Sequence, residues 1–405
     1  MPTKSDTVFN AIGLGLMGIS MIPMADSFFP KVEPKYSTLR VAAGLSQPGS
    51  SSVSTGGSVP GVALFDANGN RIGFQSGKNH GKIDEGNYKD IQIEPIKSQN
   101  TITPEYMSVV AGGDDALCIA YLALTPPNSE YWALYGDVPK TCGAAWYHSN
   151  LAIKINDETY KPSCFWIGGP RQDTGRPTNN FPMGIGLHII DFDGNEARQE
   201  QYTEHPETLC KSKPRLHMYD LLSEMSCLPI FDPPLKNEFG RGDDDFEKLH
   251  TQGKVMCEPS ANDIDPFPTG EQRMKLQKWT GGRFSTATYG TKRRSLADAV
   301  AASNCTHTDD LIESSHPGHT ATELCHDPNA VGPDFVSHSE GLMCDMCTRT
   351  LWPLCGAKVK EECFDVETKQ VRRQGLADQQ GGTVTVHTKI AAAPARAYKK
   401  TVKWD

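Results

Sequence analysis

Residues 61–74 read GVALFDANGNRIGF, and they combine the strand and turn signals on which the fold expected for the first half of the chain is based. Two short apolar runs, Gly61–Phe65 and Arg71–Phe74, flank a turn that contains the step Asn68-Gly69. An Asn-Gly step tolerates the positive φ angles of a tight hairpin turn. The stretch therefore predicts an antiparallel β-hairpin.

The same pattern of short strand-like runs between turn residues extends from Tyr36 to about Ile190. No helical period separates the runs, which argues against alternating βα units. We therefore expect a mainly β protein, with an antiparallel β-sandwich or jelly roll over residues 36–198. The predicted strands are Thr38–Ala43, Gly61–Phe65, Arg71–Phe74, Asp90–Ile93, Tyr106–Ala111, Ala116–Leu124, Tyr131–Leu134, Leu151–Ile155, Ser163–Ile167 and Gly184–Ile190.

The composition of the chain changes after residue 198. Residues 199–294 are polar and rich in proline, which predicts an extended connector, with some of it pinned to the sandwich by an apolar patch and cysteines. Residues 295–372 predict a small Cys-rich helical module, held by disulfides because so short a stretch buries little apolar surface. Residues 373–405 either trail as a tail or return to a sheet. The apolar-periodic segments of the module are Thr320–Cys325, Gly341–Cys347 and Thr350–Cys355.

The charge of the chain argues against a nucleic-acid partner. The sequence has 49 acidic and 40 basic side chains, a formal net charge of −9, over 405 residues. That charge repels a phosphate backbone, and no lysine- or arginine-rich stripe offsets it.

The N-terminal 25 residues contain an apolar run from Val8 to Pro23. The run resembles a secretory signal, and the alternatives are a retained amphipathic or buried helix and a membrane anchor. A cleaved signal implies an extracellular or cell-wall location. A retained leader leaves residues 8–23 as the part of the chain that contacts a membrane.

Twelve cysteines predict disulfides if the protein is exported, and buried thiols or metal ligands if it is not. The pair Cys344 and Cys347, with nearby His316 and His319, raises the alternative of zinc, but a second close ligand pair is missing. We expect disulfides and no metal site, with separate bridging in the sandwich, the connector and the module. The candidates are Cys118, Cys142, Cys164, Cys210, Cys227, Cys257, Cys305, Cys325, Cys344, Cys347, Cys355 and Cys363.

Asp114, Asp115 and Asp137 are the weak catalytic candidates. Carboxylates paired at one edge of a sheet can act as general acid and base. The alternative is that each aspartate caps a turn by accepting hydrogen bonds from its own backbone. No Gly-x-Ser-x-Gly elbow, Cys–His signature or nucleotide-binding loop accompanies them, so no cofactor is expected.

Aromatic side chains and turn carboxylates in the sandwich are the candidates for ligand binding. Trp146 and Tyr147, with Asp114 and Asp115, could hold a sugar if the rings are exposed, whereas buried rings would belong to the core.

The sequence from Asp191 to Asn195 begins like a calcium-binding loop, but it lacks the glycine and the glutamate at the positions that an EF-hand requires. The remaining possibility for calcium is a loop site of the β-sandwich.

Several short sequence segments resemble a broad group of fungal, largely secreted proteins of unknown function. They are GGDDALCIAY at 112–121, WYHSN at 146–150, YKPSCFWI at 160–167, GPDFVS at 332–337, TLWPLC at 350–355 and CFD at 363–365. The resemblance implies secretion and cleavage after the basic step Lys292-Arg293-Arg294, for which the alternative is a solvated linker. Cys347 is an addition to the cysteine set of that group. The resemblance implies no reaction.

The sequence thus favours a non-enzymatic extracellular or cell-wall protein that binds a glycan or protein partner through its sandwich. One alternative is a hydrolase of wall polysaccharide that uses the three aspartates. Another is a secreted effector or toxin that contacts membranes through its leader. If the protein is secreted, Asn304 lies in a weak glycosylation sequon, Asn304-Cys305-Thr306.

Overall fold

The structure, a computed structural model, describes residues 28–46, 54–96, 103–128, 130–155, 158–168, 181–192, 207–219, 222, 228–231, 253–255, 310–372 and 397–404. The predicted leader (1–25), the basic step 292–294 and Asn304 lie outside the described residues, as do Cys227, Cys257 and Cys305.

The chain is mainly β, as the pattern of short strands predicts, and it forms two compact units. The N-terminal unit contains β1 Ser37–Ala43, β2 Gly57–Ser58, β3 Gly61–Phe65, β4 Arg71–Gln75, β5 Lys82–Ile83, β6 Tyr88–Pro95, β7 Tyr106–Val110, β8 Leu117–Thr125, β9 Trp132–Tyr135, β10 Trp146–Tyr147, β11 Ile153–Ile155, β12 Glu158–Tyr160, β13 Cys164–Ile167, β14 Gly184–His188, β15 Leu216–Tyr219, β16 Pro229–Phe231 and β17 Gly253–Val255. Its helices are α1 Asp137–Thr141, a 3-10 turn Ile189–Phe192 and α2 Glu207–Lys211.

One long antiparallel sheet, in the order β10-β13-β8-β1-β6-β4-β3-β7-β14-β15, organises the N-terminal unit. Strand β6 joins the two halves: its first residues pair with β1 and its last two, Glu94 and Pro95, pair with β4. The sheet curls, so side chains from both halves meet in one hydrophobic core. The core includes Leu39, Ile119, Val62, Val109 and Ile185. Each such buried side chain stabilises the fold by about 1.5–3 kcal/mol.

The hairpin at residues 61–74 forms as predicted. Strands β3 and β4 pair antiparallel, and Gly69 in the turn has a φ of 79°. The Asp66 carboxylate accepts the backbone N–H groups of Asn68 and Asn70 at 2.9 and 2.8 Å. An aspartate that bonds the backbone two and four residues on stabilises the turn locally, which is why the sequence alone predicts it. All ten predicted strands form, with their ends shifted by at most two residues.

Part of the proline-rich region belongs to the N-terminal unit. Strand β15 pairs with β14 along Leu216–Tyr219, and a disulfide joins Cys142 to Cys210 in α2. The second disulfide, Cys118–Cys164, links β8 to β13. The prediction of separate bridging in the sandwich and the connector is therefore wrong for Cys142. The physical reason is that three sandwich cysteines are an odd number, and the 68-residue separation of Cys142 and Cys210 is closed only by tertiary packing.

The C-terminal unit is a small mixed sheet with one described helix. The sheet order is β21-β20-β19-β18-β24, and β18 pairs in parallel with both β19 and β24. The end of the chain thus returns to a sheet, one of the two alternatives that the sequence left open. The elements are β18 Asp310–Ser314, α3 Ala321–His326, β19 Asp334–Ser337, β20 Leu342–Asp345, β21 Thr350–Pro353, β22 Cys363–Asp365, β23 Gln370–Arg372 and β24 Lys400–Trp404.

The helical character predicted for this module is confined to α3 among the described residues. The segments Gly341–Cys347 and Thr350–Cys355 form the β20–β21 hairpin instead. The Asp345 carboxylate accepts the backbone N–H groups of Cys347 and Thr348, at 3.0 and 2.9 Å, and turns the chain back before a helix can form. Asp365 makes the equivalent bonds to Glu367 and Thr368, at 2.9 and 3.0 Å, in the β22–β23 hairpin. These local bonds compete with helical ones and override the apolar period.

The cysteines of the C-terminal unit form disulfides. The bridges are Cys325–Cys344, between α3 and β20, and Cys355–Cys363; Cys347 is disulfide-bonded as well. Because a bridged sulfur is not a free thiolate, these cysteines do not provide the ligand set of a zinc site.

Candidate functional site

The three candidate carboxylates lie in different surroundings. Asp114 and Asp115 are exposed in the bend before β8, and Asp115 forms an ion pair with Lys82 at 2.7 Å. Asp137, at the start of α1, is buried with 7% of its surface exposed. The backbone N–H of the preceding Gly136 donates to the carbonyl of Ala120, three residues into β8 from Leu117. Asp137 is thus buried while the other two carboxylates are exposed, which differs from carboxylates that line one open cleft.

Asp137 organises the protein interior around it. Its carboxylate accepts a hydrogen bond from the Tyr160 hydroxyl and one from the backbone N–H of Ser163 at 3.3 Å. Burial, and then the nearby Asp137 carboxylate, hold the pKa of Tyr160 well above its ordinary value. A buried carboxylate with two donors anchors the chain before β13, and this arrangement differs from the open acid–base pair that hydrolysis requires.

The aromatic residues singled out from the sequence are core residues. Trp146 has 0% of its surface exposed and Tyr147 has 1%. The Lys140 ammonium lies 3.9 Å from the centre of the Trp146 ring, and Trp166 stacks on Phe181 at 5.1 Å. Rings buried in this way cannot stack on a sugar without unfolding part of the sheet.

Asp191, the first residue of the calcium-like sequence, is also buried. Its carboxylate contacts His188 Nδ1 at 2.9 Å and accepts a hydrogen bond from Arg215 at 3.0 Å. The three side chains are each at most 3% exposed. They form a buried charged cluster that ties β14 to β15, and Asp193 and Asn195 lie outside the described residues.

Metal-binding clusters and membrane-spanning helices are both absent from the described part of the chain. No group of three or more His, Cys, Asp or Glu side chains in it could hold a metal ion. Within the same residues, no helix has the length and apolar character needed to cross a membrane.

An open groove of about 630 Å³ lies on the outer face of β1 and β6. The alternation of β6 explains it: Ile91 and Ile93 point into the core, whereas Asp90 and Gln92 point outward. The N-terminal segment Phe29–Glu33 borders the groove on one side. The lining residues are Phe29, Pro30, Lys31, Glu33, Thr38, Arg40, Val59, Gln75, Ser76, His80, Tyr88, Lys89, Asp90, Ile91 and Gln92.

A buried arginine forms the floor of the groove. The Arg40 guanidinium, whose side chain is 6% exposed, donates to both carboxylate oxygens of Asp90 at 2.7 and 2.8 Å. A third bond reaches the carbonyl of Phe28 at 3.1 Å. Burial lowers the pKa of Arg40, but the Asp90 carboxylate outweighs burial and the net direction is upward. A bidentate pair with this geometry is rigid, so the floor is preorganised.

The Tyr88 side chain lies on the Arg40 guanidinium, and 53% of its surface is exposed. The Arg40 guanidinium carbon lies 3.8 Å from the centre of the Tyr88 ring, so the guanidinium occupies one face of the ring. The other aromatic rings on this face of the sheet are covered. Phe28 stacks on Tyr121 at 4.6 Å and contacts Tyr135 at 5.9 Å. Tyr88 is the one aromatic side chain among the exposed large hydrophobic residues of the described chain.

Sequence reasoning missed this groove. The available signal was the alternation in Tyr88-Lys89-Asp90-Ile91-Gln92-Ile93, which places Tyr88 on the same face as Asp90 and Gln92, away from the core. Arg40 and Asp90 meet because β1 and β6 pair in one particular register, although the two residues are 50 positions apart in the sequence. That register is not readable from local sequence.

The fold and the groove together define a mainly β, disulfide-bonded protein with an open polar groove on its N-terminal unit. No protein-family model matches the chain, and no curated protein matches it.

Proposed function

We propose that this protein is an extracellular, non-enzymatic binding protein whose N-terminal unit holds a glycan in the groove beside Tyr88. The observation that carries the proposal is the exposed Tyr88 ring, supported from behind by the Arg40–Asp90 pair. An aromatic face fixed in an open groove offers an apolar platform for a sugar ring. The four described disulfides fit a protein that matures in an oxidising compartment.

The groove also supplies hydrogen-bonding groups suited to sugar hydroxyls. Gln92 is exposed on β6, and the Gln75 amide and His80 ring contact each other at 3.2 Å on the opposite border. Planar amides and imidazoles both donate and accept, which matches the donor–acceptor character of hydroxyl groups. Binding requires no movement of the sheet, because Arg40 and Asp90 already hold the floor in place.

The test is a binding screen of the secreted full-length chain on immobilised oligosaccharides from fungal and plant cell walls. For the best ligand, we expect Tyr88→Ala to weaken binding about tenfold, equivalent to about 1.4 kcal/mol, and Tyr88→Phe to retain it. The matched control is Val359→Ala, which removes an exposed apolar side chain of the C-terminal unit.

Two outcomes would overturn the proposal. One is the absence of binding to every glycan on the panel. The other is binding that Tyr88→Ala leaves unchanged while the protein remains folded by circular dichroism.

A further inference from the structure

The groove runs along a backbone edge of strand β6 as well as past the Tyr88 ring. Its lining includes five consecutive residues of that strand, 88–92. Neighbouring residues of a strand point to opposite faces, and here Ile91 belongs to the hydrophobic core while Tyr88 is exposed on the outer face. A groove that is lined by residues from both faces of a strand borders the edge of that strand.

The hydrogen-bond pattern shows which backbone groups of β6 point toward the groove. The N–H of Ala43 in β1 donates to the carbonyl of Asn87 at 2.9 Å, and these two residues continue the β1–β6 register by one pair. In an antiparallel pair of strands, directly opposed residues alternate between hydrogen-bonded and non-bonded pairs. The odd-numbered residues of β6 therefore bond to β1. The N–H and C=O groups of the even-numbered residues point the other way, at Tyr88, Asp90 and Gln92.

Strand β4 occupies only the far end of this second edge. It pairs with β6 at Glu94 and Pro95, and it ends at Gln75. Within the described residues, the backbone groups of the three even-numbered residues have no hydrogen-bond partner. The edge is therefore open, and it faces a groove of about 630 Å³.

We infer that this edge of β6 (Tyr88, Asp90 and Gln92) takes up an extended peptide segment of a partner protein as an additional strand. Its N–H and C=O groups recur every second residue, about 6.6 Å apart, which is the repeat of another β-strand. In strand addition, main-chain hydrogen bonds supply affinity and alternate side chains supply specificity. One face of the added strand meets Val59 and Ile91, two core residues that line the groove, so a peptide that alternates apolar and polar residues fits.

The peptide and the proposed glycan use different parts of the groove. The Tyr88 ring lies on the outer face of the sheet against Arg40, whereas the open backbone groups point along the plane of the sheet. Sugar hydroxyls do not reproduce the fixed alternation of donor and acceptor that a strand edge presents, so a peptide is the favoured occupant of the edge. The inference goes beyond the proposed function and does not depend on it.

The experiment is a titration of the full-length protein with the blocked peptide Lys-Val-Thr-Val-Thr-Val-Thr-Lys, carrying isotope-labelled backbone carbonyls. We expect saturable binding, with the labelled infrared band moving to the position of a β-sheet. Two further peptides carry N-methyl groups on all the valines or on all the threonines. Because alternate N–H groups of a strand point to opposite edges, one methylated peptide should lose binding and the other should keep it. Loss on threonine methylation indicates an antiparallel strand, and loss on valine methylation a parallel one.

Gln92→Pro connects peptide binding to the edge. Proline has no N–H to offer the peptide, and the N–H that it removes points away from β1, so the β1–β6 ladder stays intact. We expect binding of the unmethylated peptide to weaken at least about tenfold. The matched control is Gln92→Ala, which removes the exposed side chain and keeps the N–H, and it should bind within about twofold of the wild type. Tyr88→Ala should also leave peptide binding unchanged.

The outcomes separate this inference from the proposed function. Absence of peptide binding, equal binding of the two methylated peptides, or unchanged affinity in a Gln92→Pro protein that is folded by circular dichroism overturns the inference. If Gln92→Pro does not fold, the pair of methylated peptides decides. Dimerisation that Gln92→Pro abolishes, without peptide binding, would assign the edge to a second copy of the chain and would also overturn it. Absence of Tyr88-dependent binding to any glycan overturns the proposed function and leaves the peptide site standing.

Discussion

The N-terminal unit encloses its core between two halves of a curled antiparallel sheet, whereas the C-terminal unit has a five-stranded mixed sheet with a smaller apolar cluster on one face, formed by Leu311, Val336 and Met343 of the sheet with Phe364. The first unit has bridges that close loops of 46 and 68 residues; the described bridges of the second close 19 and 8. A larger core supplies more free energy from burial, and a small one depends on covalent links. The comparison predicts that the second unit, with the smaller core, depends more on its bridges than the first, although each of its described bridges closes a shorter loop.

The largest effect is expected in the core of the N-terminal unit. Trp146→Ala removes a fully buried ring from β10, the strand that pairs with β13, and we expect it to lower the free energy of unfolding by about 4 kcal/mol. Hydrogen exchange of the β8 and β13 amides, measured against denaturant, gives the value. Tyr88→Ala is the matched control, because an exposed aromatic should change stability by less than about 0.5 kcal/mol. A loss under about 1 kcal/mol for Trp146→Ala would contradict the importance of burial in this unit.

The second prediction concerns the bridge between α3 and β20. Replacing Cys325 and Cys344 together by alanine removes a cross-link that closes 19 residues, worth about 3 kcal/mol in chain entropy. We expect the amides of β18–β21 to lose most of their protection, because the small core cannot compensate. The corresponding Cys118→Ala, Cys164→Ala variant should be destabilised yet keep its sheet, as measured by hydrogen exchange on the same peptides. Equal loss of protection in the two units would remove the distinction between them.

The smallest predicted effect is a pH dependence confined to the N-terminal unit. Burial, with a smaller contribution from Lys213, lowers the pKa of His217 in β15 to about 4. The unfolded chain binds the proton near pH 6.5, so stability is complete above that pH and falls as the pH drops toward 4, by about 1–2 kcal/mol because solvent screens the partly exposed side chain.

His217→Asn should flatten that pH dependence. The measurement is urea unfolding of both proteins at pH 7, 5.5 and 4.5, followed by tyrosine and tryptophan fluorescence. A wild-type stability that is unchanged between pH 7 and 4.5 would show that His217 is not held neutral by burial.

The amount of the fold that could be predicted differs between the units for a physical reason. In the N-terminal unit, the period-two alternation and turn residues such as Asn68-Gly69 are local signals, and each predicted strand formed. In the C-terminal unit, the apolar period of Gly341–Cys347 suggested a helix, but the side chain of Asp345 bonds the backbone that follows it and produces a hairpin. The side chain of Asp345, two residues before the end of this short segment, outweighs a weak periodic pattern because its local hydrogen bonds compete with helical ones.

Less of the candidate site than of the fold could be predicted from the sequence. Trp146 and Tyr147 were singled out because aromatic residues serve both cores and ligands, and the structure buries both. Asp137 was singled out as a turn carboxylate, and its partners, Tyr160 and Ser163, lie more than twenty residues away. Tyr88 was overlooked because nothing in its immediate sequence differs from an ordinary strand.

Local sequence signals were sufficient for the β class, the hairpin at residues 61–74, the positions of ten strands of the N-terminal unit and the presence of cysteines suited to disulfides. These features depend on neighbours within a few residues, where alternation, turn chemistry and composition act directly. Long-range packing, by contrast, brings Cys142 to Cys210, places Phe28 on Tyr121 and leaves the Tyr88 ring exposed beside Arg40. Alternation assigns a side chain to a face of the sheet, but what packs on that face depends on chain segments brought together from far apart.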